Sequence, residues 1–374
     1  MKNKKVIVAG HICLDITPIF PEKAVGAAGG LLQPGKLIEM KNADVHTGGS
    51  VANTGLAMKI LGADVSLKGK VGADEFGELI GNILEKYNAR DGLIISGEDS
   101  TSYSVVLAIP GVDRIFLHHP GANHSFCADD IPVEELEAAS LLHFGYPPLM
   151  RSMYENGGME LIHLLKKAKR AGCATSLDMA AVDPASEAGK VDWDLLLQKI
   201  IPDIDFFVPS VEELCFMLEP ERFALWQTRA DGRDITEIID IDSDVKPLAK
   251  KCLDYGAKVL LIKCGAAGIY FCTAQSERLQ GLADVLDLNL GDWSGKEGFE
   301  SSYVPEKVLS GTGAGDTCIA AFLTAVLQGF ALEDCMHLAA AEGASCVEAY
   351  DALSGLRSLD ALRDKIARGW KKKC

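Results

Sequence analysis

The sequence predicts an α/β fold of three layers, with helices on both faces of a mostly parallel central sheet and a small separate β-sheet. Three observations predict it. Apolar runs of strand length alternate with stretches of helical period along the chain. The first run, Lys4-Lys5-Val6-Ile7-Val8-Ala9-Gly10, is apolar throughout its core and ends in glycine, the pattern of a strand buried on both faces. Near the other end, Leu309-Ser310-Gly311-Thr312-Gly313-Ala314-Gly315-Asp316-Thr317-Cys318 sets three alternating glycines ahead of a helix. Its face is Ile319, Phe322, Leu323, Val326 and Leu327, and Gly329 is its stop.

At 374 residues and 48% hydrophobic content, the chain can bury a substantial core. A net charge of −16 argues against nucleic acid or an anionic membrane as partner. The eleven cysteines form an odd set without a C-x-x-C pair. They are expected to be reduced, buried thiols of a cytoplasmic protein. No leader follows Met1 and no apolar run approaches ~20 residues, so no membrane span is expected.

Taken in order, the strand at 4–10 is followed by a loop that carries Asp15. Gly30-x4-Gly35-Lys36 nearly spells a phosphate loop, but Leu37 stands where Ser or Thr must reach Mg²⁺, and it is rejected as a nucleotide site. Residues 21–42, Tyr103–Ile109 and Arg114–His118 around the turn Pro110-Gly111 are expected to form the small sheet. Its free edges favour pairing with a second copy. Gly48-Gly49-Ser50-Val51-Ala52-Asn53 opens a helix with Asn53 in its first turn, and a strand at Val65–Gly72 follows. The middle reads as strands at Leu141–Tyr146 and Ala174–Asp178 with a helix near 159–171 between them. Strands at Asp205–Val208 and Lys258–Cys264 come next, the last turning through Gly265 and Gly268 into Ile269-Tyr270-Phe271. Glu213 opens a helix after Pro209-Ser210. The acidic tract 228–246 and the Gly/Asp/Glu-rich tract 275–302 are expected to be surface loops. Tyr303-Val304 and Val308-Leu309 are expected to belong to a strand that leads to the glycines. The chain closes with a helix capped by Ser358, stopped by Gly369 and followed by Lys371-Lys372-Lys373.

The glycine stretch carries the chemistry. Glycines let backbone N–H groups converge, and a helix N-terminus favours a negative charge in front of it. Such a site holds a phosphate, and Asp316 beside it is placed as general base for a hydroxyl attacking a bound phosphoryl group. A tight turn with an ordinary capping Asp is the plain alternative.

The run Thr312-Gly313-Ala314-Gly315-Asp316 resembles the C-terminal motif of the PfkB (ribokinase-like) family of carbohydrate kinases. Gly48-Gly49 with Asn53, through to Gly72-x-Asp74-x-x-Gly77, resembles its N-terminal motif. The resemblance implies one ribokinase-like kinase domain over 1–374, with a β lid from roughly 14–46 and 100–122. It implies transfer of the γ-phosphoryl group of ATP, with Mg²⁺, to a hydroxyl of a sugar or polyol. Asp316 would be the base, and Gly313, Ala314 and Gly315 the anion hole. Asp15, Gly48, Gly49 and Asn53 would grip the acceptor. Lys263, Gly265, Gly268 and Gly315 would face the nucleotide, and Glu213 would serve Mg²⁺. Ser310 replaces the aspartate that begins the motif in relatives, so the monovalent-cation (K⁺) site built there lacks its carboxylate. A homodimer through the lid is expected. A nucleoside acceptor such as adenosine, or a sugar- or nucleotide-sensing protein without turnover, remains the alternative.

Overall fold

In the computed structural model, which describes residues 4–21, 34–109 and 115–373, the first apolar run becomes strand β1 (Val6–Gly10). Its alternation sets the layering. Val6 and Val8 point into one core cluster, Ile7 and Ala9 into the other. Gly30, Pro110-Gly111 and Arg114 lie outside the described residues.

The remaining strands are β2 (Cys13–Pro18), β3 (Ala43–Gly48), β4 (Val65–Gly72), β5 (Ile94–Ser96), β6 (Tyr103–Leu107), β7 (Ile115–His119), β8 (Leu141–Gly145), β9 (Ala174–Asp178), β10 (Phe206–Phe207), β11 (Val259–Lys263), β12 (Gly268–Thr273) and β13 (Glu297–Ser301). Nine of them form the central sheet in the order β13-β12-β11-β10-β9-β8-β1-β4-β5. Pairing is parallel from β5 to β11 and antiparallel for β12 and β13. The other four make a small sheet, β3-β2-β6-β7.

The longer helices are α1 (Ser50–Ile60), α2 (Glu75–Glu85), α3 (Met159–Arg170), α4 (Trp193–Ile200), α5 (Val211–Leu218), α6 (Pro220–Ala230), α7 (Lys246–Asp254), α8 (Ser276–Leu286), α9 (Ala314–Leu327), α10 (Leu332–Cys346) and α11 (Leu359–Ala367). On one face of the sheet α1, α2 and α8–α11 bury Leu56, Ile80, Leu282, Phe322, Met336 and Leu362. On the other, α3–α7 bury Leu164, Leu197, Leu214, Trp226 and Leu248. The outer helices cover the sheet with one apolar stripe each, while α1, α9 and α10 are buried on nearly all sides, and the three expected layers result. Among the described residues, no helix is long and apolar enough to cross a membrane.

Several expectations from sequence need correction. Tract 275–302 is not a surface loop. It supplies α8 and the sheet's edge strand β13, with Trp293 packed edge-on against Phe206 and Phe322. Tract 228–246 is largely helical, and its acids serve as caps and pairs. Asp240 accepts from the Ser243 N–H at 2.9 Å, and Asp244 pairs with Arg222 at 2.8 Å. No strand precedes the glycine stretch, because Tyr303 makes only an isolated bridge, to Lys372. Within 34–42 there is no strand either, and the small sheet's edge is β3, which runs up to Gly48 itself.

One buried acid bears on stability. Glu342 on α10 is fully buried; its Oε1 accepts from the Arg357 N–H at 3.0 Å and its Oε2 has no partner among the described residues. Burial pushes this carboxyl up to about 8, against the opposing pull of Arg357. A folded value above the unfolded one favours the fold at low pH, and that contribution is lost as pH rises from about 4.5 through about 8. Glu342→Gln is therefore expected to flatten the fall in melting temperature over this range, and to melt at or above wild type at pH 9. Parallel melting curves for the two proteins across pH 5–9 would refute it.

Candidate active site

The crevice opens where the sheet's connections diverge. From β1 the chain goes to β4 on one side and later returns to β8 on the other, so loops at the carboxyl ends of β1 and β8 part. Tyr146 follows β8, Asp178 ends β9, Ser210 follows β10 and Lys263 ends β11. Four side chains from four parallel strands thus face the same edge. The N-terminus of α9 closes over them.

α9 starts at Ala314 because Gly313 adopts φ 76°, a left-handed conformation that a side chain would strain. No side chain caps this terminus. The amides of its first turn therefore lack intrahelical partners. The Ala314 N–H makes a long contact, 3.3 Å, to the Gly311 carbonyl, and the Ser310 hydroxyl steadies the loop by accepting from the Thr312 N–H at 3.1 Å.

Asp316 is not a cap. Its Oδ1 accepts from the Tyr146 hydroxyl at 2.7 Å and from Thr54 at 3.2 Å, and its Oδ2 from the Asn53 amide at 3.1 Å. Only 4% of the residue is exposed. Burial raises the carboxyl above its ordinary value, while these donors and Lys263 pull the other way. A carboxylate so placed is a stronger proton acceptor than one in water. Tyr146 reaches it from a left-handed backbone, φ 67°, uncommon for a residue with a side chain. Asp316 and its neighbours raise the Tyr146 phenol in addition to burial, so it stays protonated and donates.

Beside them, the Lys263 ammonium, partly exposed, lies 2.7 Å from Oδ1 of the buried Asp178. Burial alone would lower Lys263, but Asp178, Glu213 and Asp316 outweigh it and keep the group charged. Burial drives Asp178 up to about 8, only partly opposed by Lys263. Glu213 and Ser210 form a reciprocal cap on α5. The carboxylate Oε2 accepts from the Ser210 N–H at 2.7 Å, and the Ser210 hydroxyl from the Glu213 N–H at 3.2 Å.

Asp316, Gly313, Ala314, Gly315, Lys263, Gly265, Gly268 and Glu213 line one cavity of about 590 Å³. Val308, Ala340, Ala344 and Val347 give it an apolar part. The four acceptor candidates do not line it. Asp15 and Gly48 stand in paired strands of the small sheet, Gly49 and Asn53 at the start of α1, and Asn53 joins them to the cavity through its bond to Asp316. The glycines are needed there. A Cβ on Gly48 would strike the Asp15 carboxylate, and one on Gly49, at φ 85°, would lie 2.6 Å from His11 Nδ1. Asp15 accepts from the Cys13 thiol at 3.3 Å. Burial raises its carboxyl, opposed by donors from Cys13 and Ser104.

His143 is a satisfied core residue, bonded to Ser176 at 2.9 Å and facing Ser50 at 3.5 Å. His11 differs. It is buried beside Gly49, against the rings of His118 and Tyr146, and neither of its nitrogens has a partner among the described residues. Burial lowers it to about 3, so it is neutral near pH 7. His11, Thr54 and Asp178 were not singled out from the sequence. Only the position of His11 and Asp178 at strand ends hinted at them.

Among the described residues no group of three His, Cys, Asp or Glu could hold a metal by itself. The carboxylates here fit a hard cation held by one of them, water and a ligand's own phosphates, which is the habit of Mg²⁺.

The chain is similar to known proteins along nearly its whole length. The family described as pfkB family carbohydrate kinase matches residues 3–358. An uncharacterized sugar kinase of Archaeoglobus fulgidus is 23% identical over 82% of this chain and 100% of its own length. A 5-dehydro-2-deoxygluconokinase of Clostridium perfringens is 22% identical over 97% of this chain and 93% of its own. Among solved structures, Arabidopsis thaliana ribokinase complexed with ribose and ATP aligns over 97% of this chain and 98% of its own, with a TM-score of 0.70 at 21% identity.

Proposed function

The chain belongs to the pfkB family of carbohydrate kinases, and we propose that it transfers the γ-phosphoryl group of ATP, with Mg²⁺, to a hydroxyl of a sugar or related polyol. The observation that carries this reading is Asp316, a buried carboxylate in the first turn of a helix whose N-terminal amides line the same cavity. Asp316 takes the proton of the acceptor hydroxyl. The acceptor oxygen bonds to the γ-phosphorus as the bond to the β-phosphate oxygen breaks, and ADP leaves. The amides of Gly313, Ala314 and Gly315 hold the charge on the moving group, with Ala314 exchanging its long bond to Gly311 for the ligand. Lys263 and the turn from Gly265 to Gly268 face the nucleotide, whose base takes the apolar part of the cavity. Glu213 would hold Mg²⁺ through water, and the ion when bound offsets phosphate charge.

Asp15, Gly48, Gly49 and Asn53 seat the acceptor beneath the small sheet, which serves as a lid. That sheet leaves Phe116 and Leu117 more than half exposed. We read this as the surface on which a second copy pairs.

The test is ADP release with and without Mg²⁺ over a panel of sugars, polyols and nucleosides. Turnover confined to nucleosides would replace the acceptor class. Ligand binding without ADP release for any member would replace the reading with a sensor. If Asp15 hydrogen-bonds acceptor hydroxyls, Asp15→Ala raises KM for the acceptor about 5- to 100-fold and leaves KM for ATP unchanged; equal rises for both ligands would point to a folding defect. Ser310 brings no carboxylate to the cation loop, so replacing K⁺ by Na⁺ at constant ionic strength is expected to change kcat less than about 3-fold. Tenfold activation by K⁺ would contradict that.

A further inference from the structure

We propose that Lys373 is a binding residue for the phosphates of the nucleotide, an assignment that rests on reading the large cavity as the nucleotide site. The cavity has a charge problem. Five acidic side chains line it, Asp178, Glu212, Glu213, Asp234 and Asp316, against two ammonium groups, Lys263 and Lys373, and even with Asp178 largely protonated near pH 7 the acids outnumber the lysines. A nucleoside triphosphate adds further negative charge. Lys263 is already committed to Asp178 at 2.7 Å. Lys373 forms no ion pair among the described residues, and so its charge is available to a ligand.

Lys373 is also held in place. The segment after α11 lies antiparallel to residues 302–304. The Trp370 indole N–H donates to the Val304 carbonyl at 2.7 Å, the Val304 N–H to the Lys371 carbonyl at 2.8 Å, and the Lys373 N–H to the Ser302 carbonyl at 2.7 Å. Trp370 packs on Tyr303, with ring centroids 4.8 Å apart. Lys372 turns aside to Glu300 at 2.7 Å. Ser302 in turn donates its N–H to the Ala267 carbonyl at 3.0 Å, within the turn whose Gly265 and Gly268 line the cavity. The backbone of Lys373 is thereby fixed next to that turn. An ammonium on a long stem, anchored at its backbone and bordering a cavity rich in carboxylates, suits a polyphosphate and not the apolar base.

The experiment is calorimetric titration of the full chain with ADP in Mg²⁺ and, separately, with adenosine. Wild type, Lys373→Met and Lys373→Arg are compared after their melting temperatures are shown to agree. Lys373→Met is expected to weaken ADP about 3- to 10-fold, the scale of a partly exposed charge-assisted contact. Lys373→Arg should restore ADP to within 2-fold, and adenosine should change less than 2-fold in either variant. The ADP difference should shrink as NaCl is raised. Unchanged ADP binding in Lys373→Met would overturn the assignment while leaving the nucleotide cavity standing. Equal loss for ADP and adenosine would overturn it by showing that the side chain acts through packing. Wild type that binds neither ligand would overturn the cavity reading and this assignment with it.

Discussion

Asp316→Asn is expected to lower kcat by about 10²–10⁴ and to leave the affinity for ATP within about 3-fold. The carboxylate supplies a basic oxygen that an amide lacks, and everything else at the site should survive the change. The Asn carbonyl can still accept from Tyr146 and Thr54, which both bond Oδ1 in the native protein. Its NH₂ would then face the Asn53 amide where Oδ2 now accepts, a loss of about one hydrogen bond, ~1 kcal/mol. Removing a buried charge offsets part of that. The variant should therefore fold, and its defect should lie in turnover. In wild type, burial raises this carboxyl, so kcat/KM should fall on the acid side at a pH above that of an ordinary aspartate. Folded Asp316→Asn protein with more than half the native kcat would remove Asp316 from the role of base.

Lys263→Met is expected to destabilise the protein most at high pH, by about 3–5 kcal/mol above pH 8, because there it strands an ionised Asp178 in the interior. The loss should depend on pH in a definite direction. Asp178 titrates in the fold near 8, far above its unfolded value, so its protonated form favours the native state at low pH. That contribution disappears as pH rises through about 8. Without the ammonium the carboxyl moves higher still, and the deficit against wild type should be smallest near pH 5 and grow toward pH 9. Lys263→Met with Asp178→Asn should recover most of the stability at pH 8 without recovering ATP affinity, since Lys263 would still be missing from the cavity. Chemical denaturation of the two single variants and the double variant completes the cycle. Additive losses in the double variant would show that the two residues do not act as a pair.

The phosphate side of the site was legible because glycines declare themselves. Gly313 and Gly315 ahead of a helical period, and Gly48-Gly49 ahead of another, mark places where backbone must come close to something, and both lie at the site. The strands at 174–178 and 259–263 were legible because buried parallel strands are short continuous apolar runs. The bonds of Asp316 to Thr54 and Tyr146 were not. Thr54 and Tyr146 reach it across 262 and 170 residues, and neither has a local pattern that sets it apart from a helix threonine or a loop tyrosine. Asp178 looked like the end of a strand, which it is, and its pairing with Lys263 depends on the order of β9, β10 and β11 in the sheet. The tract 275–302 was misjudged on composition. Leu279, Leu282, Ala283 and Leu286 fall at i, i+3, i+4 and i+7 and are all buried, so helical period was there beneath the glycines and acids.

The long reach of the Asp316 contacts has a consequence for biosynthesis. Asn53 and Tyr146 emerge from the ribosome early, while the Asp316 carboxylate that both bond emerges only with α9. Contacts spanning such distances close late and slowly, because the entropy of a long loop must be overcome before any bond forms. A nascent chain therefore lacks the buried hydrogen bonds that hold Asp316 until α9 has been made and has docked.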